Sequence, residues 1–297
     1  MRISLQELLA AGGPVIADGA MGSRLFAAGL PSGAAPELWN VQNPEAVKDI
    51  HRSYVEAGSQ IILTNTFGGS RLMLDMHHLG ERAAELNQAA AENASSIAAA
   101  AHHPVVVAGS IGPTGKMFAP FGPLDEQKAA AIFAEQAAAL SEGGVDVFWI
   151  ETMSDLKEIA AAVAGCRQAN PALPVVTTMS FDRKGHTMMG VSPQQALETF
   201  EALDVFALGA NCGNGPDEIL GVIEKMHALD AEAILVAKAN AGMPKFVDGK
   251  SIYDASPEVM GQYAREARAA GATIIGACCG SNASHIAAIC RELAAGG

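Results

Sequence analysis

No stretch of this 297-residue chain approaches the roughly 18 consecutive apolar residues that a membrane-spanning helix needs. The N-terminus, "MRISLQELLAAGG", lacks a signal-peptide cleavage pattern and reads as a short amphipathic helix ending at Gly12. Basic residues are outnumbered: 19 Lys and Arg stand against 32 Asp and Glu, a net charge of −13, and no basic patch is visible. That excludes the electrostatic footprint of a nucleic-acid binder. The charge serves solubility first, and it also sets up a field that favours a cationic substrate. Aromatics make up only 5% of the chain, while Ala and Gly are abundant and about half of all residues are apolar. This composition suits closely packed helices and short loops rather than disorder. Five cysteines, an odd number with no C-x-x-C pair, point to a reducing, cytoplasmic compartment. No G-x-G-x-x-G follows the first apolar run, and "GSIGPTGKM" fails the phosphate-loop spacing at Ser110 and Met117.

What is present is an alternation. Short apolar runs rich in β-branched residues occur at "PVIAD", "QIILTN", "PVVVAGS", "VDVFWIE", "PVVTTMS", "DVFALGAN", "AILVAKAN" and "TIIGACC". Between them lie longer segments of helical period, such as "DEQKAAAIFAEQAAALSEGG". "EAGSQ", "EGGVD" and "AAGAT" each place glycine where a helix ends before a strand. Runs of this kind, each followed by a helix, suggest a parallel sheet covered on its outer face. Eight such units, with no linker over residues 1–297, predict a single-domain α/β fold, a (β/α)8 TIM barrel. The alternative is an open, doubly wound sheet, which the missing glycine fingerprint disfavours.

Barrel enzymes build their sites at the C-terminal strand ends. Those ends carry Asp18-Gly19, Thr64-Asn65-Thr66, Gly109-Ser110, Glu151, Ser180, Asn211-Cys212, Asn240 and Cys278-Cys279. Three of the five cysteines therefore fall on one rim. Cys166 and Cys290 sit at apolar spacing on predicted helices and read as core. A Cys278–Cys279 disulfide is disfavoured, because neighbouring Cα atoms lie about 3.8 Å apart and disulfides want roughly 4.4–6.8 Å. Cys212, Cys278 and Cys279 are either three small buried hydrophobes or three ligands for one soft metal. Zn2+ suits such a set, with one position left open.

The motifs "DGAMGSRLF", "VEAGSQIILTNTFGGSRLML", "SIGPTG", "WIETMSDL", "GANCGNGP", "KANAGMP" and "GACCGS" cover almost the whole chain. Together they resemble the homocysteine S-methyltransferase family, in wording nearest the homocysteine-binding module of cobalamin-dependent methionine synthases and bacterial betaine–homocysteine methyltransferases. The resemblance implies a zinc-bearing barrel that methylates the thiol of homocysteine, with Cys212, Cys278 and Cys279 on the metal and Asn240 as fourth ligand when substrate is absent. It implies that Asp18 and Glu151 hold the substrate ammonium and that amides near Gly19 and Thr64 hold its carboxylate. The chemistry fits: a metal-bound thiol is deprotonated outright, so no general base is needed. Thr152 stands where some relatives carry a tyrosine, which removes a phenolate ligand from that position.

The methyl donor is the open point. Trp39, in "APELWNVQNPEAV", offers a face for a quaternary ammonium or sulfonium, so betaine or another onium compound is expected, with Phe67 beside it. Gly68 replaces the tyrosine of the betaine type. The alternative donor is a separate corrinoid protein, since the chain shows no D-x-H-x-x-G cobalamin motif of its own. Two readings of other classes remain: a non-catalytic zinc-binding barrel, and an aldolase-type barrel using Lys238, which is disfavoured because that lysine is expected to point into the barrel or pair with an acid. His77-His78 and His102-His103 read as surface, and Met188-Met189 as gap filler or pocket lining.

Overall fold

Alternate residues of the eight apolar runs turn inward, and the rest meet helices. The computed structural model describes residues 2–182, 184–247 and 250–295. Its strands are β1 (Val15–Ile16), β2 (Ile61–Leu63), β3 (Val106–Ile111), β4 (Val147–Met153), β5 (Val175–Met179), β6 (Ala207–Cys212), β7 (Leu235–Ala239) and β8 (Ala272–Ala277). All pair in parallel with their sequence neighbours, and β1 pairs with β8. A bridge between Ala17 and Ile61 joins β1 to β2 and closes the circle. The architecture is the expected (β/α)8 barrel.

The inner layer is formed by Val15, Ala17, Ile61, Leu63, Val106, Ala108, Val147, Trp149, Val176, Val236 and Ile274. Leu5 and Leu8 of the helix Leu5–Ala10 join this layer, so the N-terminal segment stoppers the barrel from its N-terminal face. Ser4 and Glu7 form a capping box that starts this helix. The second layer packs Ile62, Val107, Phe148, Ile150, Leu208 and Ile275 against the surrounding helices. Helix starts are written locally: Asp125, Asp155, Ser192 and Ser256 cap with their side chains, and Pro193, Pro216 and Pro257 occupy first turns. No described helix is long and apolar enough to cross a membrane.

The C-terminal end of the barrel is different in kind. Asp18, Thr64, Ser110, Glu151, Asn211, Lys238 and Asn240 are buried there, although each is polar or charged. Buried polar groups cost free energy unless they are paired. Their pairing is therefore the structural question of the site.

Other polar side chains are buried away from these seven, and His51 is one of them. His51, on the inner face of the helix Pro44–Glu56, is fully enclosed, and neither ring nitrogen finds a hydrogen-bond partner. Burial pushes its pKa down to about 4. The unfolded chain takes up a proton near pH 6.5 that the folded protein refuses. Stability from this residue is thus full above pH 6.5 and is lost as pH falls towards 4, by about 3 kcal/mol. Urea denaturation between pH 7 and 4.5 should show a steeper loss for the native chain than for His51→Leu; parallel profiles would refute this.

Candidate metal centre and adjoining cavities

Strand register builds the thiol cluster. Cys212 and Ala277 both lie level with Ala239 of β7, one on each side. The Cys278 amide then donates to Ala239 O at 2.7 Å, and the Ala241 amide donates to Cys279 O at 2.9 Å. Cys212 has a left-handed backbone, φ +61°, which is uncommon outside glycine and turns the chain sharply at the rim. The result brings Cys212 Sγ to 3.1 Å from Cys278 Sγ and 4.0 Å from Cys279 Sγ. All three sulfurs lie within 4.8 Å of one another, and all three cysteines are free.

These distances bracket the edge of a zinc–thiolate tetrahedron, about 3.8 Å for Zn–S bonds of about 2.3 Å. The donors are soft, and Lys238 is a protein cation that faces Cys278. The sulfurs already share protons: hydrogen bonds from Cys212 and Cys278 hold Cys279 far below the usual thiol range, while Cys212 is driven well above it. Asn240 adds a fourth candidate donor. Its Nδ2 donates to Gly213 O at 2.7 Å, but its buried Oδ1 has no partner. An orphaned oxygen on the groove that Cys212 and Cys279 also line fits a further donor to a tetrahedral cation.

A cavity of about 310 Å³ opens next to Cys278 and is lined by Asp18, Gly19, Thr64, Ser110, Glu151 and Lys238. Asp18 is engaged twice: Oδ2 accepts from the Leu63 amide at 2.8 Å, and Oδ1 meets Lys238 Nζ at 2.8 Å. Burial pushes the Asp18 carboxyl up, and Lys238 pulls it back. Glu151 Oε1 accepts from Ser110 Oγ at 2.5 Å, whereas Oε2 has a long contact of 3.4 Å with Asn211 Nδ2. Burial first, and the thiol of Cys278 second among the raising causes, push Glu151 up to about 7. Glu151 therefore keeps an acceptor oxygen open to a cation. Gly19 must be glycine, because a Cβ there would come within 2.4 Å of Ser281 Oγ.

A family model described as homocysteine S-methyltransferase matches residues 15–293. The chain belongs to the homocysteine S-methyltransferase family. Methionine synthase from Mycobacterium leprae is 30% identical over a 297-residue alignment that covers 95% of this chain and 24% of that protein. The Mycobacterium tuberculosis methionine synthase matches with the same identity and coverage. This chain thus spans about a quarter of the length of these curated relatives. Among solved structures, the metallated form of the homocysteine methyltransferase MmuM from Escherichia coli superposes with a TM-score of 0.81 at 24% identity, covering 97% of this chain and 99% of that one.

Within this family member, the residues singled out in the sequence fall into three groups. Cys212, Cys278, Cys279, Asn240, Asp18, Gly19 and Glu151 converge at the rim. Phe67, 44% exposed, lines the smaller cavity. Trp39 does not: it is half-buried against the main core at the start of the short helix Trp39–Gln42 and lines neither cavity. From its segment, Pro36 and Glu37 reach the cavity instead. The Thr64 amide itself donates to Ala108 O at 2.9 Å within the barrel. Gly68 has a local cause: its amide donates to Glu37 Oε1 at 2.7 Å, and a Cβ would sit 2.9 Å from that oxygen. Cys166 is fully buried and Cys290 packs against the core, as expected.

Sequence reasoning had no means of pairing Lys238 with Asp18. Its Nζ lies 5.7 Å from the Trp149 ring centroid, and both ionic partners are only 2% exposed. Removing one partner of such a pair strands a buried charge and costs about 3–5 kcal/mol, whereas removing both costs less. Lys238→Met should therefore lower unfolding stability by that amount, and Lys238→Met with Asp18→Asn should regain at least half of it. A double variant as unstable as the single one would show that the pair is not the interaction lost.

Proposed function

We propose that this chain transfers a methyl group to the thiol of homocysteine, giving methionine, with Zn2+ held by Cys212, Cys278 and Cys279. The observation that carries the reading is the convergence of three free thiols on one strand register, beside a cavity lined by two carboxylates. The metallated state named for the Escherichia coli MmuM structure supports it. Asn240 Oδ1, which has no partner, would be the fourth donor in the absence of substrate. A reducing, cytoplasmic compartment belongs to the proposal, because the thiols must stay unoxidised.

When bound, zinc supplies a substrate sulfur held as thiolate at neutral pH. The chain's residues do the rest. Glu151 Oε2 takes the substrate ammonium, and burial makes that contact strong. Asp18 shares the ammonium while anchored by Lys238 and the Leu63 amide. Amides near Gly19 take the carboxylate. The thiolate sulfur then attacks the methyl carbon in line; an S–C bond forms, and the donor's bond to that carbon breaks with its electron pair staying on the donor.

For the donor, an onium compound such as glycine betaine or a sulfonium finds an aromatic face in Phe67 and an acidic neighbour in Glu37, both on the smaller cavity. A second reading takes the methyl group from a separate corrinoid protein. It is favoured by a groove of about 1030 Å³ on the other side of Cys212 and Cys279, rimmed by the exposed Met117, Phe121, Met188 and Met189. That volume far exceeds what a small onium donor fills, and exposed apolar patches mark interaction surfaces. Methionine formation from homocysteine with betaine, S-methylmethionine, dimethylsulfoniopropionate or a methylated corrinoid protein, each supplied alone, separates the two readings. Metal binding without turnover on any of them would leave a non-catalytic barrel.

The metal reading predicts about one zinc per chain. It is lost in Cys212→Ala, Cys278→Ala or Cys279→Ala, together with activity, and kept in Cys166→Ala and Cys290→Ala. Full metal content in the Cys278→Ala, Cys279→Ala double variant would overturn the site. Glu151→Gln should keep zinc and weaken homocysteine binding by about 10- to 150-fold, the worth of a charged hydrogen bond. Equal reaction of 3-mercaptopropionate, which has no ammonium, would refute the role given to Glu151.

A further inference from the structure

One hydroxyl at the thiol cluster has no part in the assignments above. Tyr253 follows the antiparallel pair Lys245–Val247 and Lys250–Ile252, which extends from the loop after β7. Tyr253 lines the larger groove together with Cys212, Asn240 and Cys279, and its phenol and the Cys279 thiol are near enough to shift one another's pKa, the phenol up and the thiol down. The placement is built rather than incidental. Two residues on, the Ala255 amide donates to Ala241 O at 3.0 Å, and Ala255 O lies 3.0 Å from His285 Nε2. Ala241 in turn donates to Cys279 O at 2.9 Å, so the tyrosine's backbone and the cysteine's are tied to the same residue. The ring lies against Gly280, where a Cβ would come within 2.1 Å of Tyr253 Cγ. Only a glycine after Cys279 lets the ring reach this position.

We propose that Tyr253 is a positioning residue for the metal centre, its hydroxyl donating to the Cys279 sulfur from the side of the larger groove. The inference rests on the zinc reading above. Its physical basis is charge. Three thiolates and a substrate thiolate on one divalent cation carry a net charge of about −2 in a site largely shielded from water. A donor to one protein thiolate draws charge off that sulfur and stabilises the loaded centre, as hydrogen bonds to metal ligands do generally. Because the donor falls on Cys279 and not on the substrate, it draws no charge off the substrate's sulfur and leaves that sulfur nucleophilic. The same ring forms part of the wall that an incoming methyl donor would pass along the groove.

The test is Tyr253→Phe, which keeps the ring on Gly280 and removes only the donor. The metal-free protein is loaded with Co2+ and its absorption recorded, and Zn2+ binding is measured by competition with a chromophoric chelator. The expected result is a sulfur-to-cobalt band at lower energy than in the native chain, with Zn2+ affinity about 10- to 100-fold weaker and an unchanged circular dichroism spectrum. An unaltered band and an unaltered competition curve would overturn the role of Tyr253 while leaving the metal centre in place. If the native chain bound neither metal, the zinc reading itself would fail.

Discussion

The register of three strands holds the site together. Ala239 of β7 is level with Cys212 on one side and Ala277 on the other, so β6 and β8 end at the same height. The first residue past β8 is then a cysteine whose amide is still bonded to β7. A slip of one residue in either pairing would turn a sulfur to the other face of the sheet. The inner core fixes this register: Val236 and Ile274 face one another across β7 and β8 and are fully buried in the same layer as Trp149. The thiol cluster thus depends on apolar residues that never touch the site.

Charge is organised around the same point. Asp18, Glu151 and three thiols lie on one rim, and Lys238 is the cation that faces Asp18, Glu151 and Cys278. The Asp18–Lys238 pair fixes one carboxylate, and Glu151 is left with an acceptor oxygen held in a buried wall. This asymmetry follows from strand position. Lys238 belongs to β7, one strand away from β1 across β8, and its side chain crosses the barrel mouth to Asp18.

The eight strands and the three rim cysteines were legible in the sequence because each is a local signal: an apolar run, a glycine at a helix end, a polar residue at a strand end. The depth of a side chain within the barrel is not local. Lys238 read as a lysine that points into the barrel or pairs with an acid, but which acid was not legible, because its partner is 220 residues away. Trp39 read as a cation-binding face, but its helix turns it into the core and presents Glu37 to the cavity. The carboxylate site read as amides near Gly19 and Thr64, and barrel pairing takes the Thr64 amide itself. Tyr253 lies in a segment with no strand or helix signal of its own, and the one sequence hint was the glycine after Cys279, which gives the ring its space.

In the proposed metal centre, three cysteine sulfurs from two strand ends would hold one zinc with a position left for a substrate thiol. X-ray absorption at the zinc edge, on the loaded protein with and without L-homocysteine, addresses it most directly. The account predicts three sulfurs at about 2.3 Å and one oxygen or nitrogen without substrate, changing to four sulfurs when homocysteine is added. Fewer than three sulfurs in the first spectrum, or an unchanged shell in the second, would contradict it.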